Sequence, residues 1–375
     1  MSRLGDLGGR LYRGEASFDI VGRRKLWYGV SAALILLAIG GILVRGLNLG
    51  IEFRGGGEFY VPSTSCTIQQ ARDAIGSTGV QVAAVTEIGS DNIRAQTEAV
   101  PEEQSVKIVD ALSTACGVPA DQISSRNVGP TWGGEITRSA TVALVVFLAA
   151  LAVFLTIYFQ WKMAVAALIA LAHDIIITTG IYAIVGFEVT PATVIGLLTI
   201  LGYSLYDTVV VFDKVKENTQ GITGQSRYTF SELANLALNQ TIIRSINTSI
   251  VALLPVASIL FVGAGLLGAG TLKDLALVLF VGTAVGTYSS IFVATPALCD
   301  MKEREPAMKA LSQRVMKRRA SRGEAVTGDQ PAEKAAVAAG GGGLAPAADR
   351  KHRQNRDAAG RAQPKRQSRS QRKKS

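Results

Sequence analysis

Charge is scarce in this 375-residue chain. Asp, Glu, Lys and Arg together make up 18 % of it, and its apolar residues gather into runs of twenty or so. That combination excludes an ordinary soluble enzyme and places the chain in the membrane class. A nucleotide motor is excluded as well: no G-x-x-x-x-G-K-[ST] occurs, and "GAGLLGAGTLKD" has the glycines without the GK pair. No cofactor and no enzymatic reaction are expected. The first apolar run follows a basic segment but ends in "GILVRG" rather than in a small-residue cleavage site. It reads as an uncleaved anchor. Cysteine is limited to three residues.

Six runs reach the roughly 20 residues that a hydrocarbon core of about 30 Å demands. They are Leu26 to Val44 (26–44), Ser139 to Phe159 (139–159), Met163 to Phe187 (163–187), Val189 to Phe212 (189–212), Ile246 to Leu267 (246–267) and Leu275 to Leu298 (275–298). Lys and Arg in short loops mark the cytoplasmic side. Arg10, Arg13, Arg23, Arg24 and Lys25 precede the first span, Lys162 lies between the second and third, and Lys214, Lys216 and Arg227 lie between the fourth and fifth. Residues 1–25, the loop 213–245 and the tail 299–375 are therefore expected inside, in a bacterial cytoplasmic membrane. The 45–138 loop, net acidic, is expected outside.

The excess of positive charge belongs to the tail. Residues 301–375 hold 20 Lys plus Arg against 7 Asp plus Glu, whereas residues 1–300 hold 19 against 22. The tail's Gly, Ala, Pro and Gln content and its "GGGG" at 340–343 read as disorder. It is expected to be dispensable beyond about Arg319. A solvated basic tail, contact with anionic membrane lipid and contact with a ribosome all remain open readings.

The outward loop reads as a small folded domain. "GIEFRGGGEFYV", "VQVAAVTEI", "NIRAQTEAV" and "DQISSRNV" have strand character, with the second and third joined across "GSD". "TIQQARDAIGS" and "PEEQSVKIVDALSTA" have helix character, and Glu102 and Glu103 follow Pro101 as a helix N-terminus favours. The order is βαββαβ, a ferredoxin-like split βαβ unit, with no catalytic constellation. Cys66 and Cys116 lie in it, where oxidising conditions favour a disulfide. Parallel helices would hold the two about 15 Å apart, too far to bridge, so pairing stays open. Cys299 reads as a reduced packing residue.

Two carboxylates stand where the bilayer would be. Asp207 in "GYSLYDTVVVFDKVKEN" lies about 10 Å from the midpoint of the fourth span. Asp174, beside His173 in "ALAHDIIITTG", falls within a residue of the middle of the third. A charge there costs about 2.5 to 3.5 kcal/mol on insertion scales, so such residues face a protein interior or water. Arg244 and Asn247 come within reach of Asp207 if the fifth helix starts near Asn239. A buried Asp–Arg pair that fixes packing and a carboxylate whose protonation drives conformation are both open. Asp213, one step beyond the fourth span, reads as interfacial.

The stretches "GIEFRGG", "VGPTWGGEIT", "ALAHDIIITTGIYAIVGFEVT", "LLTILGYSLYDTVVVFDKVKEN", "LNQTIIRSINTS" and "GTYSSIFVATPAL" resemble, in order, the SecF family of the SecDF protein-export complex. Many members carry Asn where Tyr206 stands. The resemblance implies half of a resistance-nodulation-division (RND) bundle, a SecD-like partner, the SecYEG translocon as next neighbour, and exported polypeptide as cargo. It implies proton-motive-force coupling at the positions matching Asp207, Arg244 and Asp174. A small-molecule or lipid exporter half and a non-transducing translocon scaffold are the rival readings. A membrane-impermeant thiol label applied to intact cells should reach Cys66 or Cys116, once reduced, and never Cys299. Labelling of Cys299 would overturn the six-span topology.

Overall fold

The computed structural model describes Arg10 and residues 16–62, 66–88, 92–266 and 270–322. Six helical segments among them are long and apolar enough to cross a membrane. The "GSD" connection at 89–91, the residues around 267–269 and everything past 322, including "GGGG", lie outside the described residues.

The first crossing helix is α1, Arg24–Arg45. A two-residue strand β1, Asn48–Leu49, and a single helical turn α2, Ile51–Arg54, lead into the sheet domain. The turn corrects the expected strand over "GIEFRGGGEFYV". Gly50 is an extended N-cap, and Gly55 at φ 78° ends the turn in a conformation that few other residues adopt. Strand β2 therefore begins at Gly56 and runs to Pro62.

Helix α3 (Ile68–Ser77), strands β3 (Val82–Ile88) and β4 (Asn92–Thr97), helix α4 (Glu102–Cys116) and strand β5 (Ser124–Val128) complete the domain. A Thr67/Gln70 capping box starts α3. The strands order β3-β4-β2-β5, and every neighbouring pair is antiparallel. Strand alternation sorts the two faces. Phe59, Val61, Ile93 and Ala95 bury against Ile75, Ile108 and Leu112, while Glu58, Tyr60, Arg94 and Gln96 point to the other side and line a cleft.

Strands β2 and β3 both run against β4, and β4 and β5 both run against β2. The crossover helices α3 and α4 therefore run antiparallel to each other. That corrects the assumption of parallel helices. Cys66 before α3 meets Cys116 at the end of α4, their Cα atoms lie 4.8 Å apart, and the sulfurs are bonded.

The remaining crossing helices are α5 (Pro130–Tyr158), α6 (Trp161–Val185), α7 (Pro191–Asn218), α8 (Phe230–Ala257) and α9 (Gly270–Ser289). Helix α8 runs on as a π-helical stretch over Ser258–Leu266, and α9 through another over Ser290–Ala294 into α10, Thr295–Glu303. Between α6 and α7, strand β6 (Glu188–Val189) pairs in parallel with β1.

Two expected boundaries move. Gly129 in extended conformation with Pro130 behind it starts α5 well before Ser139. The 213–245 loop shrinks to 219–229, because α7 continues to Asn218 and a Thr229/Glu232 capping box starts α8 at Phe230. Small residues set the helix spacing around α7. A Cβ on Gly286 would come 2.9 Å from the Ser204 Cβ, and one on Gly282 would come 2.3 Å from Ile200. These glycines let α9 approach α7 closely.

The 299–322 part of the tail is a correction too. After α10, helix α11 spans Pro306–Arg322 and folds back on the α7–α8 hairpin. Leu311 and Val315 are wholly buried in the bundle core. Arg319 pairs with Glu232 at 2.7 Å, and Arg314 donates to the Thr223 carbonyl at 2.9 Å. A charge-rich composition concealed an apolar stripe three and four residues apart. Truncation after residue 322 should leave the bundle's thermal stability unchanged, whereas ending the chain at Glu305 should lower it. Leu311→Ala alone should cost about 2 to 5 kcal/mol of stability, read as a lower melting temperature in detergent.

Candidate functional site

Helices α6, α7, α8 and the π-helical turn after α9 meet around the two carboxylates. Asp174 is 1 % exposed and Asp207 6 %. On α7, Ser204 and Asp207 are three residues apart and so share a face. The Ser204 hydroxyl donates to Asp174 Oδ2 at 2.6 Å, which ties α7 to α6. Asp207 accepts from Ser245 of α8 at 2.7 Å and, on its other oxygen, from Ser290 at 2.9 Å. Both serines are fully buried.

His173 Nδ1 lies 3.3 Å from Asp174 Oδ1. Its ring stacks on Tyr288 with centroids 5.8 Å apart, and the Tyr288 hydroxyl lies 3.0 Å from the Ser31 hydroxyl of α1. His173 Nε2 is buried, with no hydrogen-bond partner among the described residues. Ser249 and Thr287, joined at 2.7 Å, extend the polar seam between α8 and α9.

The Asp207–Arg244 pair that the sequence left open is not formed. Successive residues of a helix point about 100° apart, so the rotation that turns Ser245 to Asp207 turns Arg244 away. Arg244 is exposed and donates to the hydroxyl of Tyr206 at 3.3 Å. Asn247 and Asp213 are exposed as well. Among the described residues no ion pair to Lys or Arg reaches Asp174 or Asp207. Each carboxylate is met by hydroxyl donors, and no group of three or more His, Cys, Asp or Glu that could hold a metal ion occurs among the described residues.

The hydrogen-bond inventory permits two protonation states. An ionised carboxylate only accepts, whereas a protonated one must also donate. Ser290 Oγ lies 2.9 Å from Asp207 Oδ2 and 3.1 Å from the Thr287 carbonyl oxygen. Its hydroxyl can donate to the carboxylate, or donate to Thr287 while accepting from a protonated Asp207. Ser290 opens a π-helical turn, a local widening that is frequent at functional sites.

Comparison with known proteins agrees with the order of these elements. The family "Protein export membrane protein SecD/SecF, C-terminal" matches residues 108–304. The chain is 52 % identical to the protein translocase subunit SecF of Streptomyces coelicolor over 85 % of this chain and 86 % of that one. It is 48 % identical to the SecF of Mycobacterium tuberculosis, covering 83 % and 73 %. The chain belongs to the SecD/SecF protein-export family. Membership makes it an accessory membrane subunit of the Sec protein translocase. The crystal structure of the translocon-associated SecDF of Thermus thermophilus matches with a TM-score of 0.69 at 30 % identity, covering 77 % of this chain and 39 % of that one. This chain thus spans about two fifths of that solved chain.

Sequence reasoning singled out Asp174 and Asp207 but missed Ser204, Ser245, Ser290 and Tyr288 beside them. The one available signal was small hydroxylated residues crowding apolar runs, as in "RSINTS" and "GTYSS". Also missed was a second polar cluster in the cleft beneath the sheet. There Arg94 binds Glu58 at 2.9 Å and Glu188 at 2.7 Å. Burial pushes the Glu58 carboxyl up, but hydrogen bonds from Arg94 and Tyr60 and the Arg94 charge outweigh it and leave Glu58 below its ordinary value of 4.5. A depressed carboxyl stabilises the folded state above its unfolded value, and that contribution disappears as pH falls through the folded value. Hydrogen-exchange protection of β2 and β4 should therefore decline as pH drops below about 4.5. Glu58→Gln should flatten that decline.

Proposed function

We propose that this subunit couples the proton-motive force to late steps of polypeptide export, with Asp207 as the principal proton site and Asp174, beside His173, as a second. One observation carries the reading: both buried carboxylates accept from neutral hydroxyls, and among the described residues neither is paired with Lys or Arg. A permanent ion pair fixes packing and resists protonation. Hydroxyl partners can serve either protonation state by turning, so binding and release of a proton changes the direction of the hydrogen bonds that join the helices and the further acceptors those hydroxyls engage. Asp207 joins α7 to α8 and to the π-helical turn, and Asp174 joins α6 to α7. Protonation at either site therefore alters contacts across four of the crossing segments.

The membrane assigned is the bacterial cytoplasmic one, with both termini inside. The placement of Lys162, Lys214, Lys216 and Arg227 in short connections supports that orientation. The βαββαβ unit is then a ferredoxin-like extracytoplasmic domain, a reading supported by its strand order and by the Cys66–Cys116 bond. A SecD-like subunit completes the bundle, SecYEG supplies the channel, and exported polypeptide is the cargo. Arg244, Tyr206 and Asn247 sit together on an exposed face of α7 and α8. A cation and an amide on a membrane-spanning face call for protein rather than lipid beside them, so this face is assigned to the partner subunit. There Arg244 serves proton coupling from across the interface rather than as the counter-ion of Asp207.

Asp207→Asn keeps the size of the side chain and one acceptor but holds it neutral. It should leave complex abundance normal and abolish the increment in export that an imposed proton gradient produces in reconstituted vesicles. Full stimulation in this variant would overturn the proton reading. Because Arg244 does not neutralise Asp207, Arg244→Gln should not restore stimulation to the double variant.

A further inference from the structure

A cleft of about 640 Å³ is lined by residues of both the sheet and the helical bundle, Glu52, Glu58, Lys273 and Asp274 among them. At one edge of it sheet and bundle touch through charged and polar side chains. Glu188, in the turn between α6 and α7, has both oxygens taken by the sheet. Oε2 pairs with Arg94 Nη1 at 2.7 Å, and Oε1 accepts from Gln96 Nε2 at 2.9 Å. Arg94 and Gln96 are two apart on β4, so they share the face turned to the bundle. Arg94 is itself held in place from inside the sheet by Glu58, whose side chain is 4 % exposed.

Backbone reinforces the same edge. Strand β1, on the path into the domain, pairs with β6 in the register Asn48↔Glu188 and Leu49↔Val189, and the Gly50 N–H donates to the Val189 carbonyl at 2.9 Å. The turn so gripped joins the helix carrying Asp174 to the helix carrying Asp207.

We propose that the Arg94–Glu188–Gln96 contact is a strut through which the α6–α7 turn moves the sheet domain, and that Glu188 is the positioning residue that transmits the rearrangement around Asp174 and Asp207. This rests on the proton-coupled reading above. A surface ion pair between mobile side chains transmits little, but this one is anchored at both ends. Arg94 cannot reorient without breaking its ion pair with Glu58, and the Glu188 carboxylate, on a backbone held by the β1–β6 ladder, cannot turn away without losing both Arg94 and Gln96. Displacement of the turn is therefore passed to β4 rather than absorbed by side-chain rotation.

Glu188→Ala removes both side-chain links yet leaves Arg94 paired with Glu58, so the domain keeps its fold and its disulfide. In vesicles containing the whole complex, Glu188→Ala should keep normal abundance and normal export without a gradient. The gradient-dependent increment should fall by about fivefold or more, the low end of typical coupling between sites. Glu188→Gln, which can still hydrogen-bond Arg94 and Gln96, should recover part of the increment. An undiminished increment in Glu188→Ala, with Asp207→Asn inactive in the same assay, would overturn the strut while leaving the proton reading intact. Loss of the complex in both Glu188 variants would make the contact one of assembly and overturn it equally. If Asp207→Asn keeps full stimulation, the proton reading fails first and the strut has nothing to transmit.

Discussion

Burying a carboxylate in an apolar bundle without a Lys or Arg beside it is the constraint on which the rest of this structure depends. Such a group is tolerated only if its oxygens meet hydrogen-bond donors. Serine meets that need at small volume. Its hydroxyl reaches only a short distance, so the helices that supply it must lie close to the one bearing the carboxylate. The glycines at 282 and 286, opposite Ile200 and Ser204, provide that proximity. The polar site and the tight packing of α7 on α9 are thus one requirement seen from two sides.

The same constraint explains why the site spans several elements. Asp207 draws one donor from α8 and one from the π-helical turn, and Asp174 draws its donor from α7. The stretch that supplies one of these donors, Ser290–Ala294, is itself a π-helical turn. A hydroxyl with two acceptors in reach, as at Ser290, makes the arrangement responsive rather than fixed.

Outside the apolar zone the energetic logic changes. Near the sheet, water is accessible and full charges are affordable, so Arg94, Glu58 and Glu188 use ion pairs where the bundle uses hydroxyls. Partial burial and shared oxygens raise such a cluster above an isolated surface pair. At the opposite end, Arg24 with Asp300 and Glu303 holds α1 to α10, and Arg319 with Glu232 holds α11 to the helical hairpin. The polar groups grade from charged to neutral to charged along the helices, as a membrane-spanning bundle requires.

The linear sequence by itself determined the six crossing segments, because an apolar run long enough for a bilayer needs no tertiary information to be read. It also marked Asp174 and Asp207, since a carboxylate inside such a run is conspicuous wherever it ends up pointing. What met those carboxylates was decided by helix rotation and spacing. Arg244 and Ser245 are neighbours in sequence, yet only one faces Asp207, and a register of 100° per residue cannot be fixed from composition. Helix direction in the sheet domain likewise decided that Cys66 meets Cys116, which sequence distance does not convey. Helix α11 was concealed because its buried stripe is two residues, Leu311 and Val315, amid arginines and lysines whose partners lie some ninety residues away in the hairpin. Segments defined by their own hydrophobicity were legible in the sequence, whereas contacts defined by relative orientation appeared only once the chain was packed.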